Sequence, residues 1–365
     1  MLEKGKISNS MAVILMINVI LSTGFLVVPR VSIRIAKRDA LLSMVVAAIL
    51  GLVLAWIVAA LGQRLQGKTF FEFLEKTLGR FLGKILELVY IVWFIHLTVI
   101  LVVEYGMFIS TVSMPETPLF VFYGAVVIIA AYAVYNGVEI IGRLNQLFFP
   151  GLVLLFLTFA LTLQNMKVDR ILPIFEQNTV TILKSGLGAL SWIGEIIVLI
   201  MLAPYISDQQ RIGRVAFFST LISGAALLVS VIVVLLNFGP SVSAALAYPV
   251  FNTVRLVSIG NFLERLDYIF GAMWITSGII KVGVFYYCAV LGSAQCLEIR
   301  DYRVLVIPVG IIILALSNII FDGAVDMMYF LEKVFPIYAL ATVELVIPLI
   351  LLVISQIKGS MKVKK

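Results

Sequence analysis

The chain has almost no histidine and almost no cysteine. Its 365 residues include a single histidine, His96, and two cysteines, Cys288 and Cys296. This leaves no disulfide framework and no spacing suited to a metal site, so neither a metal nor another cofactor is expected. Charge is also scarce. Only 13% of the residues are Asp, Glu, Lys or Arg, where a soluble domain carries ~25%. There is no glycine loop of the kind that cradles phosphate, and no Ser/His/Asp or Cys/His arrangement at usable positions. The chain is not expected to be an enzyme. Low-complexity stretches and polar linkers are missing too, which implies a single domain over 1–365.

What fills the chain instead is apolar. Hydrophobic residues make up 62% of it and the mean hydropathy is +1.12, the signature of an integral membrane protein. The net charge of +7 is spread over short loops and gives no argument for nucleic acid. Lys4 and Lys6 precede an uncharged run of 23 residues, Ile7 to Pro29. That run exceeds the ~7–15 residues of a signal-peptide core, and no small-residue cleavage site follows. It is read as a retained span.

Ten transmembrane helices are expected, at roughly 8–29, 40–61, 81–111, 117–136, 143–164, 185–204, 215–237, 262–291, 304–320 and 334–357. The second and seventh carry no charge and read as plain helices. The third and eighth are long enough to require tilting. Pro336 and Pro348 flank Glu344 in the tenth and are expected to kink it. Two connections hold amphipathic pieces, Thr69–Lys76 and Val250–Arg255, of the kind that lies at an interface. With ten spans both termini share one face. That face carries fifteen basic residues against nine on the other, which places both termini in the cytoplasm.

Two spans are marked by residues that are costly in lipid. The sixth contains Leu190-Ser191-Trp192-Ile193-Gly194-Glu195, and the first contains Leu21-Ser22-Thr23-Gly24-Phe25. A carboxylate and a glycine at mid-span suggest an interrupted helix facing protein or water. Paired interruptions in the two halves of a chain point to the binding site of a transporter. A repeat supports this division. Phe70, Gly79, Phe81, Leu82, Lys84 and Trp93 recur as Phe251, Gly260, Phe262, Leu263, Arg265 and Trp274, all shifted by the same 181 positions. Five spans separate the copies, so the second unit is inverted relative to the first. The expected architecture is all-α and LeuT-like: a five-plus-five inverted repeat, about 8–164 and about 185–357, with broken helices one and six.

The run Gly260-Asn261-Phe262-Leu263-Glu264-Arg265-Leu266-Asp267, followed by Trp274, resembles the signature of the spore germination B-subunit family. In that family Phe-x-Glu-Arg, then Phe or Leu and an acidic residue, precedes a Trp. Thr23-Gly24-Phe25-Leu26 with Pro29, Phe70-Phe71-Glu72-Phe73-Leu74 and Gly194-Glu195 add to the match, which extends over nearly the whole chain. The resemblance implies a polytopic subunit of a nutrient germinant receptor, related to amino acid–polyamine–organocation permeases. Such a subunit resides in the inner membrane of the spore of a spore-forming bacterium. It binds a small nutrient, most readily an amino acid, and signals germination. The implied partners are a membrane subunit with a large soluble domain and a lipoprotein. The alternative is a secondary amino-acid transporter of the same fold.

The candidate site residues follow. Ser22, Thr23 and Gly24 are expected either to unwind span one, freeing backbone N–H groups for a carboxylate, or to pack helices closely. Trp192 is a candidate pocket wall, Gly194 a point of irregular backbone, and Glu195 an acceptor for a ligand ammonium or for a structural ion pair. In the implied fold span eight lies beside span one, where sodium-coupled relatives hold a cation. Thr276, Ser277 and Lys281 fall there, and the Lys281 ammonium can replace the ion. Otherwise Lys281 pairs with Glu195 or Glu344, or snorkels. Glu104 is read as interfacial, and His96 as a satisfied core residue or a proton relay. Glu87 and Asp267 are read as partners of Lys84 and Arg265.

Overall fold

The structure is a computed structural model that describes Glu3 and residues 5–257 and 266–363, with side chains to Lys358. Among the described residues the regular structure is helical, apart from one isolated parallel bridge between Ile7 and Ile206. The long helices are α1 (Asn9–Ala36), α2 (Ala40–Arg64), α4 (Arg80–Val112), α5 (Leu119–Asn136), α6 (Val138–Leu157), α9 (Ile212–Ala245) and α11 (Leu266–Cys296). Each is a run of apolar residues that satisfies its own backbone, as a bilayer requires, except that α9 is kinked at Gly239 (φ 69°), where Arg170 donates to the Leu236 and Asn237 carbonyls. Polar caps set several of the ends. Ser8 accepts the Met11 N–H at the start of α1. Thr69 and Glu72 form a reciprocal capping box on the amphipathic helix α3 (Phe70–Leu78).

Among the described residues eight segments are long and apolar enough to cross a membrane, and the first of them, Asn9–Arg64, holds both α1 and α2. The stretch expected as span nine is shorter. Its helix α12 (Val306–Ser317) has 12 residues, fewer than the ~20 an upright crossing needs. A second short helix, α10 (Pro249–Arg255), stands before α11 as α3 stands before α4. The motif residues Gly260 to Arg265, and the first turn of the expected eighth span, lie outside the described residues. Asp267 pairs with Arg255 at 3.2 Å, while its expected partner Arg265 is not described. Lys84 meets both Glu87 at 3.1 Å and Glu75 at 3.0 Å.

The expectation of a break in span one is corrected by the structure. Helix α1 is continuous from Asn9 to Ala36, through Ser22, Thr23 and Gly24. Span six does change pitch where expected. Helix α7 (Thr179–Gly194) gives way to a 3-10 turn over Glu195–Ile197, then to α8 (Val198–Leu202). All of these residues keep right-handed helical angles, so the chain tightens there and does not unwind. Span ten is the most irregular. Helices α13 (Ala324–Tyr329), α14 (Phe335–Ala339) and α15 (Val346–Val363) are separated by two π-turns, Phe330–Val334 and Leu340–Glu344. Pro336, which lacks a backbone N–H, follows the first of these.

Helix α1 is the hub. It packs against α9, α7, α6 and α11, and its residues from Leu15 to Pro29 are all buried. The bridge at Ile7 ties its beginning to the end of span six, through Ile7 N to the Tyr205 carbonyl at 2.9 Å and Ser207 N to the Ile7 carbonyl at 3.0 Å. Spans one and six are thereby fixed side by side.

Candidate functional site

The centre of the bundle holds one buried cation. Lys281 is the middle residue of the 31 in α11 and is fully buried. Its Nζ lies 2.6 Å from Glu195 Oε2, in the tightened turn of span six. It also donates to Thr23 Oγ1, half-way along α1, at 2.5 Å. A lone ammonium cannot rest in an apolar core, and these two oxygens come from the two spans that the sequence marked. Thr23, Glu195 and Lys281 are thus brought together, and Lys281 takes the ion-pair alternative with Glu195 while also touching span one.

Two further carboxylates surround this pair. Glu104 on α4 and Glu344 in the second π-turn are each buried, and both lie within electrostatic reach of Lys281 and Glu195. Glu344 does not pair with Lys281. Neither of its carboxylate oxygens has a hydrogen-bond partner among the described residues. Instead the group rests on Gly194, where an added Cβ would come 2.8 Å from its carboxyl carbon. Gly194 is therefore required for close approach. It is not needed for its backbone angles, which any residue can adopt. Glu104 is not interfacial as expected. It is fully enclosed by the bundle, because α4 is steeply buried along this stretch.

The remaining candidates divide. Trp192 is buried and packs edge-on against Phe335 at 5.4 Å; an added Cβ on Gly24 would lie 3.6 Å from it. With Leu227 of α9 at 3.4 Å from the same point, these are ordinary van der Waals distances, so Gly24 faces α7 and α9 without a close approach that would require a glycine. The Ser22 carbonyl accepts the indole N–H of Trp274, whose ring packs at a tilt against Tyr105 and Phe108 with centroids 4.6 and 4.5 Å away. The Trp of the sequence signature therefore fastens α11 to α1. This explains why span one stays helical. The Thr23 hydroxyl and the Ser22 carbonyl are met by groups from α11, so these two do not force the backbone open; the Ser22 hydroxyl has no partner among the described residues, and the segment has a single glycine.

Ser277 and Thr276 do not reach the cation. Ser277 donates to Asn18 Oδ1, while Asn18 Nδ2 donates to the Ser277 carbonyl at 3.0 Å. Thr276 lies off this face and bonds its own helix at Ala272, 2.9 Å away. The structure corrects the expectation that Thr276 shares a cation site with Lys281. Five residues apart on a helix is ~140° around the axis, whereas Ser277, four residues away, shares the Lys281 face. Asn18 is the residue that sequence reasoning missed. Its signal was available, since an uncharged amide inside an apolar span needs a partner. His96 is satisfied, with Nδ1 3.4 Å from the Tyr338 hydroxyl and its ring edge-on to Phe330.

Chemically, the centre is a buried ion pair flanked by two carboxylates with unmet hydrogen-bonding capacity. The unmet acceptors are chemically complementary to a cationic or amine-bearing group.

Residues 6–321 match the profile of a family described as Spore germination protein (Spore_permease). Spore germination protein KB of Bacillus subtilis (strain 168) is 23% identical over 364 residues, spanning 97% of this chain and 95% of that one. Spore germination protein YndE of the same strain is 24% identical over 294 residues, 80% of this chain and 81% of its own. Among solved structures, the crystal structure of MhsT in complex with L-phenylalanine superposes with a TM-score of 0.71 at 14% identity, over 92% of this chain and 88% of that one. At that identity the likeness speaks to the fold, an all-helical LeuT-like bundle.

Proposed function

The chain belongs to the spore germination protein family, and from that premise we propose that it is a nutrient-sensing subunit of a germinant receptor. It is a multi-pass, permease-like membrane protein. Its ligand, in this reading, is a small nutrient with an amine, most readily an amino acid. The ligand binds between spans one and six near Thr23, Trp192, Gly194 and Glu195. Residues about 8–164 and about 185–357 act as inverted halves around it. Occupancy shifts a conformational equilibrium, which is read by a membrane subunit with a large soluble domain and by a lipoprotein. The protein resides in the inner membrane of the spore with both termini cytoplasmic.

The observation that carries this reading is the position of Lys281 Nζ, between Thr23 Oγ1 at 2.5 Å and Glu195 Oε2 at 2.6 Å. A fixed ammonium from span eight reaches span one, where sodium-coupled relatives hold a cation, and pairs with the carboxylate of span six. Such a site has no ion to release and no gradient to couple to, which suits sensing over pumping. The fold likeness to MhsT keeps a secondary amino-acid transporter as the second reading. Reconstitution separates the two. A panel of the twenty amino acids is screened by thermal shift on the purified chain, since a ligand that binds the folded state raises its melting temperature. The stabilising amino acid is then offered, radiolabelled, to proteoliposomes bearing a sodium or a proton gradient. Binding without accumulation supports the sensor. Accumulation driven by either gradient contradicts it, and loss of binding altogether contradicts both readings.

A further inference from the structure

A second set of charges lies at the far end of the bundle from the termini, apart from the Lys281 pair. There the C-terminal part of α1, the residues preceding α10 and the first π-turn of span ten enclose a cavity of about 390 Å³. This is within the roughly 300–1,000 Å³ range of small-molecule sites. Arg30, Arg34 and Lys333 face it, together with a single carboxylate, Glu332. Glu332 is already engaged twice, by Arg34 at 3.1 Å and by Lys333 at 2.9 Å. Arg30 is left over. Its Nε is buried with no hydrogen-bond partner among the described residues. Leaving a buried donor unmet costs about 1–3 kcal/mol, so the cavity is built for an acceptor that the described side chains do not supply. The rest of the lining is mostly apolar or aromatic, with Tyr248, Val325, Met328 and Tyr329, and includes the hydroxyl-bearing Thr111.

We propose that this vestibule binds the carboxylate of a small organic acid, with Arg30 as its principal donor and the Met328–Tyr329 wall around its hydrocarbon part. The guanidinium fork of Arg30 matches a carboxylate in a way a point charge does not. Three cations against one anion in a cleft focus a positive potential that draws anions in from solution. The site does not depend on the central reading, because none of its lining residues belongs to the Lys281 cluster. Tyr248 lines the cavity beside Arg30 and is within electrostatic reach of both Arg30 and Glu104.

The test uses the full chain in nanodiscs of phosphatidylcholine alone, with 3-phenylpropionate as the probe and 2-phenylethylamine as its amine counterpart. Binding is read by ligand-observed NMR and calorimetry. 3-Phenylpropionate is expected to bind, and Arg30→Gln to weaken it about tenfold or more. Arg30→Lys keeps the charge and is expected to weaken binding several-fold. The amine, which the central carboxylates would favour, is expected not to displace the acid. Wild-type affinity in both Arg30 variants overturns the proposal, as does displacement by the amine. Absence of acid binding to wild type also overturns it, and Arg30-dependent binding of phosphatidylglycerol added in a second set of nanodiscs would then assign the cations to a lipid phosphate.

Discussion

Spans one and six carry the same kind of mark in the sequence and behave differently in the structure. Helix α1 runs straight through Ser22-Thr23-Gly24, while span six tightens into a 3-10 turn at Glu195. The difference lies in who meets the polar groups. On α1, partners come from α11: Lys281 reaches the Thr23 hydroxyl, and Trp274 reaches the Ser22 carbonyl. On span six, the charge is on the span itself, and Glu344 presses on it at Gly194. A marked span need not unwind if a neighbour supplies the complementary group. It distorts where two acidic groups crowd one turn.

Removing Lys281 should break this comparison most strongly. Lys281→Met leaves Glu195 buried without its cation, at a cost of about 3–5 kcal/mol. The protein should reach the membrane at much reduced level, as read by immunoblot and by melting of what remains. Adding Glu195→Gln should restore much of the level by removing the unpaired charge. A single mutant with wild-type abundance and stability would show that α1 is not held by this contact.

Gly194 tests the other span. Gly194→Ala drives a methyl into the Glu344 carboxylate, and an overpacked core of this kind loses about 1–3 kcal/mol. Gly194→Leu should be worse and should abolish amino-acid binding while a fraction still reaches the membrane. Pairing Gly194→Ala with Glu344→Ala should relieve the clash. If the double variant melts no higher than the single one, the glycine serves something other than approach of Glu344.

The Trp274 anchor ranks lower. Trp274→Phe keeps most of the packing and deletes the N–H that meets Ser22, a loss of about 1 kcal/mol measurable by thermal melting. The smallest effect belongs to position 276. Thr276→Val should stay within about 0.5 kcal/mol of wild type, whereas Thr23→Val removes an oxygen from the buried ammonium and should be clearly destabilising. Equal effects at the two positions would erase the distinction between the face that meets Lys281 and the one that does not.

These contrasts also mark what could be read from the chain alone. Lys281 and Glu195 were legible because charge in an apolar span is expensive and must be answered. Their pairing was one of several open choices, since sequence does not tell which of Glu195 and Glu344 lies closer. Ser277 and Thr276 could have been separated by helical angle alone. The Glu344–Gly194 contact was not legible. It depends on two π-turns in span ten, and a π-turn shifts the facing of every residue after it. Glu104 was misplaced for a similar reason: its depth is set by how α4 packs in the bundle, not by its distance from the end of an apolar run. The fold itself was legible, because long uncharged runs with short connections admit few arrangements. The vestibule was not, because Arg30 and Glu332 stand some three hundred residues apart and meet only once spans one and ten are folded together.

The central proposal is that the Lys281 ammonium of span eight stands beside span one where sodium-coupled relatives hold a cation. The most direct test compares the melting temperature of the purified chain in sodium chloride and in choline chloride at equal ionic strength, for wild type and for Lys281→Ala. A sodium ion that binds the folded state must raise its stability. The account predicts that wild type melts at the same temperature in both salts, and that Lys281→Ala, which melts lower, regains part of the loss in sodium alone. A wild-type protein stabilised by sodium over choline would contradict it.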